Sequence, residues 1–139
     1  MKSKIFDKCL VVSRHKLLPL QQKDVEQVCR DIVQVPELPT DPNQLRQVIQ
    51  GYDVVIGSLP PNLIQAIQNS NVEYVTFSMK SLGVYHSEDE ARRVVSRFGA
   101  DRVAMLSPSR PGDPYRVTMY QGLKKVRIVM EEEPIIVHE

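Results

Sequence analysis

Three short segments of the chain carry side chains able to handle a phosphate. Ser13-Arg14-His15-Lys16 follows one apolar run, Gly57-Ser58-Leu59-Pro60-Pro61-Asn62 follows another, and Ser78-Met79-Lys80-Ser81 follows a third. Arg14 can grip a phosphate with a bidentate fork, whereas the ammonium groups of Lys16 and Lys80 act as point charges. Ser13, Ser58 and Ser78 add hydroxyls, Asn62 an amide, and His15 an imidazole able to take or give a proton. Almost no carboxylate accompanies them, so the inventory suits an anionic ligand and no tightly held magnesium ion.

Other chemistries find little support. His15, His86 and His138 have no partners at the spacings zinc sites use, so no metal and no cofactor are expected. The six glycines are scattered and make no phosphate-cradling motif. Cys9 and Cys29 read as small buried hydrophobes and not as a disulfide framework. Eighteen Lys and Arg against seventeen Asp and Glu give a net charge of +1, which speaks against general DNA binding and makes any phosphate recognition local. No apolar run reaches the roughly 18 residues of a membrane span, and no cleavable leader is evident, so a cytoplasmic protein without membrane contact is expected.

The elements that must position these groups follow from periodicity. Cys9–Ser13, Val33–Val35, Asp53–Ser58, Val72–Ser78 and Arg102–Leu106 read as strands, the first apolar on both faces as in a covered parallel strand. Between them lie helical patterns. The first opens at Pro19 and carries Val25, Val28, Cys29 and Ile32. The second is capped by Asp41 and ends before Gly51. The third carries Leu63, Ile64 and Ile67, and the fourth opens at a Ser87…Glu90 capping box and ends at Gly99. After the turn formers of residues 107–114 the period becomes two. Val117 and Met119, then Val126, Ile128 and Met130, alternate across Gln121-Gly122 as in a β-hairpin.

The expected fold is therefore α/β: a mostly parallel sheet with helices on both faces and a C-terminal β-hairpin. Residues 1–139 form one domain, with 115–139 as the hairpin appendix. In open α/β sheets ligands bind at the carboxyl ends of the strands, where strand order reverses. Taken singly, each candidate has a plainer role: serines end strands, Arg14 and Lys16 can be solvated charges, and His15 can face water. Their convergence on those strand ends raises the functional reading.

The pair Val11-Val12-Ser13-Arg14-His15 and Asp53-Val54-Val55-Ile56-Gly57-Ser58-Leu59-Pro60 resembles the small CRISPR-associated proteins of type III systems that carry a minimal CARF-like Rossmann domain. An aromatic-bearing strand, Val72-Glu73-Tyr74-Val75, follows in the same order, and the likeness covers residues 8–80. Lys16–Leu20 stands where that group has small residues and a tryptophan.

The resemblance implies a ring nuclease, binding and opening a cyclic oligoadenylate second messenger, above all cyclic tetra-adenylate. It further implies metal-independent attack by the ring's own 2′-hydroxyl, with Arg14, His15 and Ser13 catalytic. Lys16, Gly57, Ser58, Leu59, Pro60, Asn62, Ser78 and Lys80 would bind the ligand. One Ser13-Arg14-His15 set is too small to surround four phosphates, so a homodimer is expected, with contact area from Leu82–Tyr85 or from the hairpin Val117–Met130. A non-catalytic sensor or sponge for the ring is the alternative, and an unrelated nucleotide-binding protein a weaker one.

Overall fold

A computed structural model describes residues 5–128 and 136; His138 and Met130 lie outside them. Among the described residues the chain runs β1 (Phe6–Val12), α1 (Pro19–Val28), β2 (Cys29–Val35), α2 (Pro42–Ile49), β3 (Val54–Gly57), α3 (Pro61–Asn69), β4 (Glu73–Tyr85), α4 (Glu88–Phe98), β5 (Val103–Leu106) and β6 (Tyr115–Lys125). The strands form one six-stranded mixed sheet in the order β2-β1-β3-β4-β6-β5. β2, β1, β3 and β4 are mutually parallel, and β6 runs antiparallel to both β4 and β5.

Side-chain alternation explains why β1 and β3 are central. Cys9 to Val12 and Val54 to Gly57 are buried at every position, as strands covered on both faces must be. Leu10, Val12, Val55 and Tyr74 point to one face and pack with Leu45 and Ile49 of α2 and Leu63, Ile64 and Ile67 of α3. Cys9, Val11, Val54, Ile56, Val75 and Phe77 point to the other and pack with Val25 of α1. Each fully buried Leu or Ile contributes roughly 1.5 to 3 kcal/mol, so the two clusters hold the parallel strands from both sides.

Local signals set several boundaries. Asp41 caps α2 by accepting from Gln44 N at 3.1 Å, and Gly51 just past its end takes a φ of +89°. Ser87 precedes α4 but makes no side-chain capping bond, so the expected capping box is not formed. α1 stops at Val28, earlier than its apolar stripe implies: Cys29 and Ile32 belong to β2, where pairing with β1 prevails over helical periodicity.

The expected C-terminal hairpin is absent among the described residues. Residues 115–125 form a single strand, and Gly122, at φ +121°, occupies a β-bulge opposite Ser78 where a turn had been expected. Val117 and Met119 do lie on a strand, but Val126 and Ile128 do not, and the partners of β6 are β4 and β5. Val126 and Ile128 leave the sheet and pack against the α2–α3 cluster.

β4 also exceeds its expected end at Ser78. Its first four residues pair with β3, and from Val75 to Tyr85 it pairs with β6. β5 pairs with β6 at the level of Lys80 to Val84 of β4, so β4, β6 and β5 continue beyond the carboxyl edge of the parallel strands. Ala91 of α4 packs there with Val103 and Val117, and Leu82 and Tyr85 join that cluster. Of the segment expected to supply dimer contacts, Val84 remains outside, 54% exposed.

Cys9 and Cys29 are buried, as expected, but are joined as a disulfide, which the sequence reading did not anticipate. Their Cα atoms lie 6.1 Å apart, within the range a bridge requires, although the register sets Cys29 level with Phe6 and Cys9 level with Ile32. No helix among the described residues is long and apolar enough to cross a membrane.

Candidate functional site

Strand order reverses at β1: α1 carries the chain to β2 on one side, and α2 returns it to β3 on the other. The crevice of such a sheet lies outside the carboxyl ends of those two central strands. Val12 pairs with Gly57, so the turns that begin at Ser13 and Ser58 leave adjacent strands side by side, with backbones about 4.8 Å apart. Gly57 permits this approach. A Cβ there would stand 2.9 Å from Val12 O and 3.3 Å from Val12 Cβ.

The β1 turn holds itself. Ser13 Oγ donates to His15 O at 2.7 Å and accepts from His15 N at 3.3 Å, while Ser13 N donates to Val35 O of β2 at 3.0 Å. The Ser13 hydroxyl therefore shapes the turn. Arg14, His15 and Lys16 project into solvent. Arg14 Nη2 meets Glu37 Oε2 at 2.9 Å, both side chains about two-thirds exposed or more (73% and 68%). Glu37 corrects the expectation of an edge nearly free of carboxylates. The strand-end rule, applied to β2 as it was to β1, would have found it. His15's imidazole has no hydrogen-bond partner among the described residues.

The β3 turn is held from β4. Tyr74, 1% exposed, donates its hydroxyl to Gly57 O at 2.7 Å and accepts from Leu59 N at 3.0 Å. Pro60 then caps α3, accepting from Leu63 N at 3.1 Å and Ile64 N at 3.2 Å. Pro60 and Pro61 have no N–H and Leu63 N is engaged, so Asn62 alone keeps a free first-turn amide, fewer than the sequence suggested. Ser58 and Asn62 are exposed, and Leu59 packs into the core below.

Ser78 and Lys80 do not follow a strand; they lie within β4. Thr76 is level with Gly57, which places Lys80 about 13 Å farther along the strand, on the extension that rises beside the crevice. Gln21 of α1 donates to Met79 Sδ at 3.8 Å, and Leu20 N donates to Asp101 O at 3.0 Å, tying the start of α1 to this wall. Tyr120, fully buried, donates to Asp24 Oδ2 at 2.8 Å; burial first, then the Asp24 carboxylate, raises its pKa above the ordinary phenol value. The structure thus brings Ser13–Lys16 and Gly57–Asn62 together and leaves Lys80 farther out.

The amino-terminal edge is different. Concavities of about 380 and 930 Å³ open there, the larger between α2 and the end of α3, lined by Asn43, Arg46, Gln47, Gln50 and Asn71 among others. Asp53 of the quoted motif also sits at this end, accepting from Asp7 N at 2.9 Å and Lys8 N at 3.1 Å, a tie between strands. Volume thus points to one end and the cation, imidazole and hydroxyl set to the other; recognition of an anion follows the second. No protein-family model matches the chain, and neither a curated protein nor a solved structure matches it.

Proposed function

We propose that the protein is a CARF-like, Rossmann-like ring nuclease of the cytoplasm that binds a cyclic oligoadenylate, cyclic tetra-adenylate above all, at the β1/β3 edge. The observation that carries this is the Val12–Gly57 pairing, which sets the turn bearing Arg14 and His15 beside the turn bearing Ser58 and Asn62. A compact polyanion needs such a local cationic patch and not a basic protein, in keeping with a net charge of +1.

In the reaction, the 2′-oxygen of one ribose attacks the adjacent phosphorus and the bond to the 5′-oxygen breaks. The products are a 2′,3′-cyclic phosphate and a 5′-hydroxyl. Both reacting groups belong to the ring, so orientation supplies much of the rate. Arg14 offsets charge on the phosphoryl oxygens after exchanging Glu37 for phosphate, an exchange that surface pairing of about 0 to 1 kcal/mol permits. His15 takes the 2′-proton or returns one to the leaving oxygen. Ser58 and Asn62 hold phosphate or ribose, and Lys16 and Lys80 add positive charge. Two chains about a two-fold axis would supply the second set of groups that a four-phosphate ring requires.

A binding-only sensor or sponge is the second reading, favoured by the His15 imidazole having no orienting partner among the described residues. Radiolabelled cyclic tetra-adenylate incubated with the protein and EDTA separates the two. Linear product ending in a 2′,3′-cyclic phosphate supports the nuclease; tight binding with an intact ring supports the sponge. Absence of binding overturns both.

A further inference from the structure

The β3–α3 turn has few means of holding its own shape. Two of its residues, Pro60 and Pro61, carry no N–H, and the first backbone bonds of α3 begin only at Leu63. The element that holds it is remote in sequence. The Tyr74 hydroxyl donates to the carbonyl of Gly57 at 2.7 Å and accepts from the N–H of Leu59 at 3.0 Å. Those two groups belong to the peptide planes on either side of Ser58. Pinning both planes fixes the only two soft backbone angles Ser58 has.

The pinning group cannot shift. Tyr74 is 1% exposed, its ring packed in the cluster with Leu63, Ile64 and Ile67, and its strand lies in register with β3 as Val55↔Tyr74. Below the turn, Gly57 is pressed against Val12. Ser58 is thus an exposed residue on a backbone held by a buried hydroxyl.

We infer that Tyr74 is a positioning residue of the β1/β3 edge, acting through Ser58 to set the direction in which that hydroxyl meets phosphate or ribose; this rests on the proposed function. Tyr74 touches no ligand. Its hydroxyl is fully occupied by the two backbone groups, and its effect on binding passes through the Ser58 backbone.

Tyr74→Phe keeps the ring and removes the clamp. Hydrogen exchange at the Leu59 amide should accelerate while the amides of Val55 and Ile56 keep their protection. Affinity for cyclic tetra-adenylate should fall about five- to tenfold. In a double-mutant cycle, Tyr74→Phe should weaken binding little further once Ser58→Ala is present, because both act through one group. A merely structural role gives additive losses, and additivity overturns the inference. So does a wild-type Leu59 amide that exchanges as fast as that of Asn62, a measurement that needs no variant to fold. If wild type binds the ring and Tyr74→Phe binds equally well, Tyr74 alone is misassigned; if wild type binds no ring, the proposed function falls and this inference with it.

Discussion

The two ends of the sheet divide volume from chemistry. The amino-terminal end has two concavities, lined by carboxamides, the Arg46 and Arg127 guanidiniums and the Glu73 carboxylate among others. The carboxyl end has Arg14, His15, Lys16, Ser58 and Asn62 standing exposed on two adjoining turns. Connectivity explains the contrast. At the amino-terminal end, helices α2 and α3 deliver their last turns, whose polar side chains splay around the entering strands. At the carboxyl end, β1 and β3 are pressed together at Gly57 and their exits must diverge.

His15→Ala should do the greatest damage. Ring cleavage in single turnover should fall by roughly 10²- to 10⁴-fold, with affinity little changed; an unaltered rate removes His15 from proton transfer. Arg14→Ala comes next. Losing a charge-assisted phosphate contact should weaken binding by roughly 1.5 to 3 kcal/mol, and calorimetry showing wild-type affinity would mean the pocket lies elsewhere. Gly57→Ala forces a methyl against Val12 O and should lower unfolding free energy by about 1 to 3 kcal/mol, read in a denaturant titration.

Smaller effects sharpen the contrast further. Glu37→Gln frees Arg14 from its carboxylate and should tighten ring binding by a factor of about two to five, in proportion to a surface ion pair. Weaker binding by this variant would show that Glu37 orients Arg14 and does not compete for it. Arg46→Ala, in the larger concavity, should leave ring affinity within about twofold, the ordinary range for a remote surface change. A tenfold loss there would transfer the site to the amino-terminal end.

The parallel half of the fold was legible because its signals are local and agree with one another. Asp41-Pro42 starts a helix, Gly51 follows it, and Val54 to Gly57 is apolar without interruption. The extension was not legible, since what makes β6 one strand is pairing with β4, about 40 residues earlier, and no local pattern distinguishes a bulge glycine from a turn glycine. At the site, the cations and hydroxyls were readable from their place after strands. Glu37 was readable by the same rule, standing two residues after β2, but the Tyr74 clamp was not, because its partners are brought close only by the sheet. The Cys9–Cys29 bridge was missed for the same reason: a spacing of 20 residues reveals nothing until β1 and β2 pair.

The sheet order also dictates a sequence of events during synthesis. The last strand among the described residues, β6, lies between β4 and β5, both of which are made before it. While the ribosome adds roughly 5 to 20 residues per second, β1 to β4 can pair as they emerge. The upper part of β4 and all of β5 must wait, since among the described residues each finds its strand partner in residues 115–125. The nascent chain therefore passes through an interval in which the β1/β3 crevice can already exist while the wall beside it is still two unpaired strands with open edges. Such edges invite pairing with other chains. α4, between β4 and β5 in the chain, packs Ala91 against this part of the sheet and can cover one face of it until β6 arrives.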